Sequence, residues 1–232
     1  MTRDVAAAYA AQRQLLAETE RRTAWHRGGY KIGLTSARMQ EMCKIDTPIA
    51  GVIFAETIVP SGAALAASAY GRLALEFEIG LRLGRELPPI GRPYALGDVA
   101  DAVASVCPAI EIVDDRNADY AALDVHALIA ENSWNAGAVC GAATAALPDL
   151  ASLEGTVRRD GEVVDRGAGR DVLGHPLNAL AWLANHLNAL GERLRPGDLV
   201  MTGNLVTTKF VKPGETYRFD LSNLGSVAVT IR

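Results

Sequence analysis

Two glutamates two residues apart, Glu76 and Glu78, lie in a stretch that alternates without a break. Leu73, Leu75, Phe77, Ile79, Leu81 and Leu83 fall on one face, and Arg72, Ala74, Glu76, Glu78, Gly80 and Arg82 on the other, which is the period of a β-strand. Both carboxylates therefore project to the same side, about 6–7 Å apart at the backbone. Taken alone, such a pair is the ordinary solvated face of a strand. A third acid changes its meaning. Glu111 sits inside Pro108-Ala109-Ile110-Glu111-Ile112-Val113, a run apolar on both faces that reads as a buried strand. An ionised carboxylate in such a place costs several kcal/mol unless it is paired, protonated or bound to a cation. If the two strands are neighbours, three carboxylates converge, repelling one another without a cation and caging one when it is present. All-oxygen ligation suits a hard divalent ion, Mg²⁺ or Mn²⁺, rather than zinc or copper.

Lys31 is the second candidate. Only four of the 23 Lys+Arg residues are lysines (31, 44, 209 and 212), and Lys31 lies in a short apolar strand bordered by glycine. Desolvation there would lower its pKa toward values useful in proton transfer; the plain alternative is a lysine snorkelling at a strand edge. The four histidines show neither HxH nor HExxH spacing, so a histidine-based metal site is not expected. No GxSxG, GxGxxG or P-loop pattern occurs. Met201-Thr202-Gly203-Asn204 follows a strand, where a hydroxyl and a close backbone could hold an anionic head group.

The chain that must position these groups has 232 residues, 49% hydrophobic and 22% charged, with a net charge of −4. That is enough for one sizeable core, and the mild acidity argues against nucleic acid or an anionic membrane as partner. The N-terminal segment has acids and no long apolar run, so neither a signal peptide nor a membrane span is expected, and the cytoplasm is the default location. Cys43, Cys107 and Cys140 sit among apolar neighbours and read as reduced core thiols. Residues 4–27 suggest a helix ended by Gly28 and Gly29, followed by a strand over 30–35 and a short helix within 36–44. Residues 47–68 suggest loop and short extended pieces, 95–106 and 118–130 suggest helices, and Asp160-Gly161 suggests a hairpin turn. Pro176 opens a helix that Gly191 ends, and strands are expected at 199–201, 217–221 and 227–231. The expected class is α+β, with a mixed sheet that is rolled or closed.

The motifs also occur in a familiar order. Gly29-Tyr30-Lys31-Ile32-Gly33-Leu34-Thr35-Ser36 resembles the signature of the 2-keto-4-pentenoate hydratase and 4-oxalocrotonate decarboxylase branch of the fumarylacetoacetate hydrolase superfamily. Leu75-Glu76-Phe77-Glu78-Ile79, Pro108 to Asp114, Val172-Leu173-Gly174-His175-Pro176, Met201-Thr202-Gly203 and Val211-Lys212-Pro213-Gly214-Glu215 continue the resemblance over nearly the whole chain.

The resemblance implies a mixed β-roll or barrel-like sheet with flanking helices, formed by residues 1–232 as one catalytic domain with a short helical segment over about 1–28. It implies Glu76, Glu78 and Glu111 as ligands of Mg²⁺ or Mn²⁺, Lys31 as catalytic, and Thr202 with Gly203 as substrate contacts. The implied substrate is a short 2-oxo or 2-hydroxy-dienoic acid, and water addition in the catabolism of aromatic compounds is the leading activity. Decarboxylation of a 4-oxalocrotonate type, C–C hydrolysis of an acylpyruvate and a non-catalytic partner subunit are the alternatives. A homo-oligomer is expected, with a complex with a paralogous pathway enzyme as a further expectation.

The sequence departs from the family pattern in three places. The chain begins well inside the usual N-terminal region. Gly51-Val52-Ile53-Phe54 is followed by Ala55 and then Glu56, which leaves Glu56 as the candidate for an acidic catalytic position concerned with water activation. Glu131-Asn132 stands where Asp-Asn is more usual.

Overall fold

The computed structural model describes residues 3–232. In chain order α1 spans Arg3–Thr23, β1 Arg27–Gly33, α2 Ala37–Met42, β2 Ile49–Phe54, β3 Ile58–Pro60, β4 Ala63–Leu65, β5 Leu73–Leu83, α3 Leu96–Val99 and β6 Val103–Asp114. There follow α4 Val125–Ala130, β7 Asn135–Cys140, β8 Glu154–Arg159, β9 Glu162–Ala168, α5 Pro176–Ala189, β10 Leu199–Asn204, β11 Lys209–Phe210, β12 Thr216–Leu221 and β13 Gly225–Ile231.

The strands form two mixed sheets. The larger runs β2-β1-β10-β5-β6-β7-β3, with β11 added to β5; the smaller runs β4-β13-β12-β8-β9. The alternation of β5 has the consequence its pattern predicts on one side: Leu75, Phe77, Ile79 and Leu81 are fully buried in the main core, with Phe77 against Tyr217 and Phe219 of the smaller sheet. Burying each such side chain is worth about 1.5–3 kcal/mol. The other side of β5 is not a solvated face. The larger sheet rolls until β2 lies against β7, and the inner surface of the roll buries Ile53, Cys107, Ala109, Ala138, Leu199 and Met201 as a second apolar cluster. Register places this plug beside the acids: Glu78 pairs with Ala109, Gly80 with Cys107 and Met201, and Met201 with Lys31.

The helices cover the roll. Helix α5 starts where Pro176 follows His175, whose Nδ1 accepts the Leu177 N–H at 3.0 Å, and it buries Leu177, Leu180, Ala184 and Leu187. Helix α1 guards the edge strand β2: the Ala50 N–H donates to the Tyr9 hydroxyl (2.9 Å), and Gln12 Nε2 donates to the Ala50 carbonyl (2.9 Å). Among the described residues no helix is long and apolar enough to cross a membrane.

Several local expectations need correction. Helix α1 ends at Thr23 because Ala24 takes a left-handed backbone (φ 58°), before the glycines are reached. Within residues 47–68, expected as loop and short extended pieces, residues 49–54 form the six-residue strand β2. The helix expected over 95–106 stops after a short turn, since Val103 to Val106 join β6. The helix expected over 118–130 shrinks to α4, and the rest is a loop anchored by Asp115. The hairpin at Asp160-Gly161 (φ 53° and 90°) forms as expected. No cysteine is in a disulfide; Cys43 and Cys107 are buried and Cys140 half-buried.

One glycine joins the sheets. A Cβ on Gly167 of β9 would lie 1.9 Å from the Leu205 carbonyl oxygen, so only glycine lets the segment after β10 pack there. Gly167→Ala is expected to lower stability by about 1–3 kcal/mol, read as a lower urea midpoint.

Candidate active site

Strand register makes the carboxylate cluster. Glu76 on β5 stands directly opposite Glu111 on β6, and Glu78 follows two residues along the same face. One oxygen from each of the three lies within 4.8 Å of the others. Like charges placed this way repel, and burial sharpens the effect: Glu78 and Glu111 are 0% exposed and Glu76 is half-buried.

Each carboxylate has one oxygen fixed by the protein. The Thr208 hydroxyl donates to Glu76 Oε1 (2.7 Å), the Gly203 N–H to Glu78 Oε2 (2.7 Å), and Asn135 Nδ2 to Glu111 Oε1 (2.9 Å). The second oxygens of Glu78 and Glu111 are buried and accept no hydrogen bond. Buried carboxylate oxygens are seldom left so, and three carboxylates each oriented by an outer donor match what a hard cation requires.

Lys31 arrives from across the roll. On a flat sheet β1 and β6 would stand three strand spacings apart, about 14 Å. Curvature closes this until Lys31 Nζ is 3.4 Å from Glu111 Oε2, with the lysine side chain 6% exposed. That distance is an ion pair rather than a short charge-assisted hydrogen bond.

The electrostatics follow from burial and crowding. Burial, with Glu111 and Glu76 nearby, pushes the Glu78 carboxyl well above the usual range. Burial likewise raises Glu111 to about 7, against the opposing pull of Lys31. The expectation of a depressed lysine is reversed. Burial would lower the Lys31 ammonium, but the charges of Glu111, Glu76 and Glu78 outweigh it, and its pKa stands above the ordinary lysine value.

The remaining candidates are placed differently. Thr202 is fully buried and its hydroxyl donates to the Ile79 carbonyl (2.9 Å). Gly203 serves Glu78: a Cβ there would lie 2.4 Å from Thr35 Oγ1, and its φ of 121° aims the N–H at the carboxylate. Glu56 is not brought to the cluster. Its exposed carboxylate takes hydrogen bonds from the His26 N–H and ring Nδ1 (2.9 Å each), which hold its pKa below the usual range. His26 precedes Lys31 by five residues, about 15 Å along the chain. A cleft of about 1100 Å³, lined by α1, α2, α4, α5 and residues 44–49, contains none of the clustered residues.

Asn135 and Thr208 do not stand out in the sequence, because each reaches its carboxylate through register rather than motif. Asn135 follows Asn132, Ser133 and Trp134, three successive left-handed residues (φ 58°, 50° and 56°). Such backbone costs about 1–2 kcal/mol per residue. Asn132 secures it by pairing with both the N–H and carbonyl of Val52 (2.7 and 2.8 Å).

Residues 13–232 match the profile of the fumarylacetoacetate (FAA) hydrolase C-terminal family. The chain belongs to the fumarylacetoacetate hydrolase family. This family member is 37% identical over 206 residues to the 2-keto-4-pentenoate hydratase of Burkholderia vietnamiensis (strain G4 / LMG 22486), covering 87% of the chain and 77% of that protein. It is 36% identical over 203 residues to a 4-oxalocrotonate decarboxylase of Pseudomonas putida, covering 86% and 75%. The solved 4-oxalocrotonate decarboxylase from Pseudomonas putida G7, complexed with magnesium and adipate, superposes with a TM-score of 0.92 at 33% identity, over 100% of this chain and 87% of that one. The fumarylpyruvate hydrolase of Pseudomonas aeruginosa, in complex with Mn²⁺ and pyruvate, shares the fold at a TM-score of 0.68 and 20% identity.

Proposed function

We propose that the chain is a Mg²⁺- or Mn²⁺-dependent lyase of short 2-hydroxy-dienoic or 2-oxo acids, acting by water addition as a 2-keto-4-pentenoate hydratase does. The observation that carries this is the set of three converging carboxylates, each with one oxygen fixed by a protein donor. Two of the remaining oxygens are buried without a hydrogen bond, beside a buried lysine. Glu76, Glu78 and Glu111 would hold the ion. A divalent cation supplies Lewis-acid stabilisation of negative charge on substrate oxygens.

The chain's own groups do the rest. Lys31, whose buried Nζ stands 3.4 Å from Glu111 Oε2, would hold a proton at the site and steady an enolate-like charge as it develops. In ketonisation of a 2-hydroxy-dienoate, Nζ would deliver a proton to carbon while the C2 hydroxyl gives up its own, which restores the ammonium, after which water adds at the conjugated end. The apolar plug of Ile53, Met201, Cys107 and Ala109 closes the roll beneath Lys31 and keeps bulk water from that side. Glu56, tied to His26, is assigned no part in water activation. Similarity to 4-oxalocrotonate decarboxylases, in sequence and over the whole chain in structure, favours decarboxylation as the second reading.

The test is turnover of 2-hydroxypenta-2,4-dienoate by purified protein. Loss of dienol absorbance is expected with Mg²⁺ or Mn²⁺ and is expected to stop in EDTA. Carbon dioxide release from 4-oxalocrotonate, without dienol hydration, would move the assignment to the decarboxylase. Equal turnover with and without EDTA would remove the metal from the mechanism.

A further inference from the structure

Glu76 differs from its two companions. It is half-buried where they are fully buried, and its hydrogen bond comes from a hydroxyl on a segment that leaves the sheet. That segment, residues 204–208, runs from the end of β10 to β11, which returns to pair Lys209 with Leu75 and Phe210 with Ala74. It is pinned at every step. The Leu205 N–H donates to the Phe77 carbonyl (3.0 Å), and Asn204 Oδ1 accepts from the N–H groups of Phe77 (3.0 Å) and Val206 (3.2 Å). Across from it stands Asp165, on β9 of the smaller sheet. Asp165 Oδ2 accepts from the Thr207 hydroxyl (2.7 Å), the Thr207 N–H (3.3 Å) and Lys209 Nζ, and Lys209 Nζ also donates to the Thr207 hydroxyl (2.6 Å).

We infer that Asp165 is a positioning residue for Glu76, acting through Lys209 and Thr207 to aim the Thr208 hydroxyl at Glu76 Oε1. The inference rests on the metal-binding function proposed above, and it adds a tether from the second sheet. Thr208 lies between the two residues Asp165 holds, so their fixation leaves its hydroxyl little choice of direction. The Asp165–Lys209 pair is suited to the task, with side chains only 24% and 18% exposed. Burial would raise the Asp165 carboxyl, but its bonds to Lys209 and Thr207 win and bring it to about 2, so it is an anion at every working pH. A bond that orients one ligand oxygen leaves the other in place for a cation, and loss of such outer partners typically costs 10–100-fold in metal affinity. An ion pair that merely joined two sheets would change stability and leave that affinity alone.

The experiment measures Mn²⁺ affinity of the full chain by electron paramagnetic resonance of the free ion, alongside melting temperature. Thr208→Val and Asp165→Asn are each expected to weaken Mn²⁺ binding about 10-fold, whereas Thr208→Ser, which keeps the hydroxyl, restores it. Arg158→Gln breaks a different ion pair of the smaller sheet, Arg158 with Asp220 (3.3 Å), and is expected to leave Mn²⁺ affinity unchanged. Wild-type affinity in Thr208→Val, or equal weakening by Thr208→Ser, would overturn the inference. So would equal weakening by Arg158→Gln and Asp165→Asn. Wild-type affinity in Asp165→Asn would overturn it as well, and if that variant fails to fold, Lys209→Met, which removes the other end of the ion pair, takes its place. A wild-type chain that folds and binds no Mn²⁺ would remove the metal-binding function itself, and the tether's role with it.

Discussion

Glu78→Gln is expected to raise the melting temperature of the metal-free protein while abolishing its cation binding. Glu78 is fully buried, and both burial and the neighbouring Glu111 and Glu76 push its carboxyl well above the usual range. A carboxyl whose folded pKa lies above its unfolded value binds protons more tightly in the folded state. Stability then falls as pH rises from near the unfolded value through the folded one. For Glu111, raised from 4.5 to about 7, the cost above both values is on the order of 3 kcal/mol. Glutamine at 78 removes one of the repelling charges, still offers an oxygen to the Gly203 N–H, and brings an amide donor toward the neighbouring acids. A gain of about 1–3 kcal/mol in EDTA at pH 8 corresponds to a rise of roughly 3–10 °C for a chain of this size. The gain should shrink as pH falls through the raised range of Glu78 and Glu111, where protonation relieves the repulsion in the wild type. Calorimetry in EDTA at pH 8 and below that range, with a Mn²⁺ titration, checks both halves. A lower melting temperature at pH 8 would show that the carboxylates are not strained against one another.

Lys31→Met is expected to have the larger effect on rate. Proton transfer by a positioned side chain is worth about 10²–10⁴-fold, and that loss should appear in kcat with Mn²⁺ saturating. Its effect on stability is opposite to that of Glu78→Gln. Lys31 is the countercharge 3.4 Å from Glu111, and removing one member of a buried pair costs about 3–5 kcal/mol. Metal-free Lys31→Met should therefore melt below wild type, and Mn²⁺ should recover much of the difference by supplying positive charge. A variant that keeps wild-type kcat would leave the proton chemistry to another group.

Parts of the site were legible in sequence because they depend on short-range pattern. The unbroken alternation of residues 72–83 and the apolar setting of Glu111 identify two buried strands and the acids on them. Lys31 stands out by rarity and by its apolar strand. What pattern could not supply was long-range closure. The polar side of β5 looks like a surface until the sheet rolls and puts Met201, Cys107 and Ala109 over it. The hydrogen bond of the Thr202 hydroxyl to the Ile79 carbonyl likewise emerges only from strand packing. Glu56 follows β2 at a suggestive place in the sequence, yet antiparallel pairing of β1 with β2 carries it to the His26 end, away from Lys31. Asn135 and Thr208 owe their roles to partners 24 and 132 residues away, a separation no local motif encodes. The segments 95–106 and 118–130 failed for the converse reason: alanine-rich stretches with helical spacing were overridden by strand pairing and by the Asp115-anchored loop.

The most direct test is a crystal of the protein grown with Mn²⁺, with diffraction data collected on both sides of the manganese absorption edge. A single anomalous peak enclosed by the carboxylates of Glu76, Glu78 and Glu111 is the expected result. Protein that crystallises with those three side chains ordered and no manganese between them would contradict it.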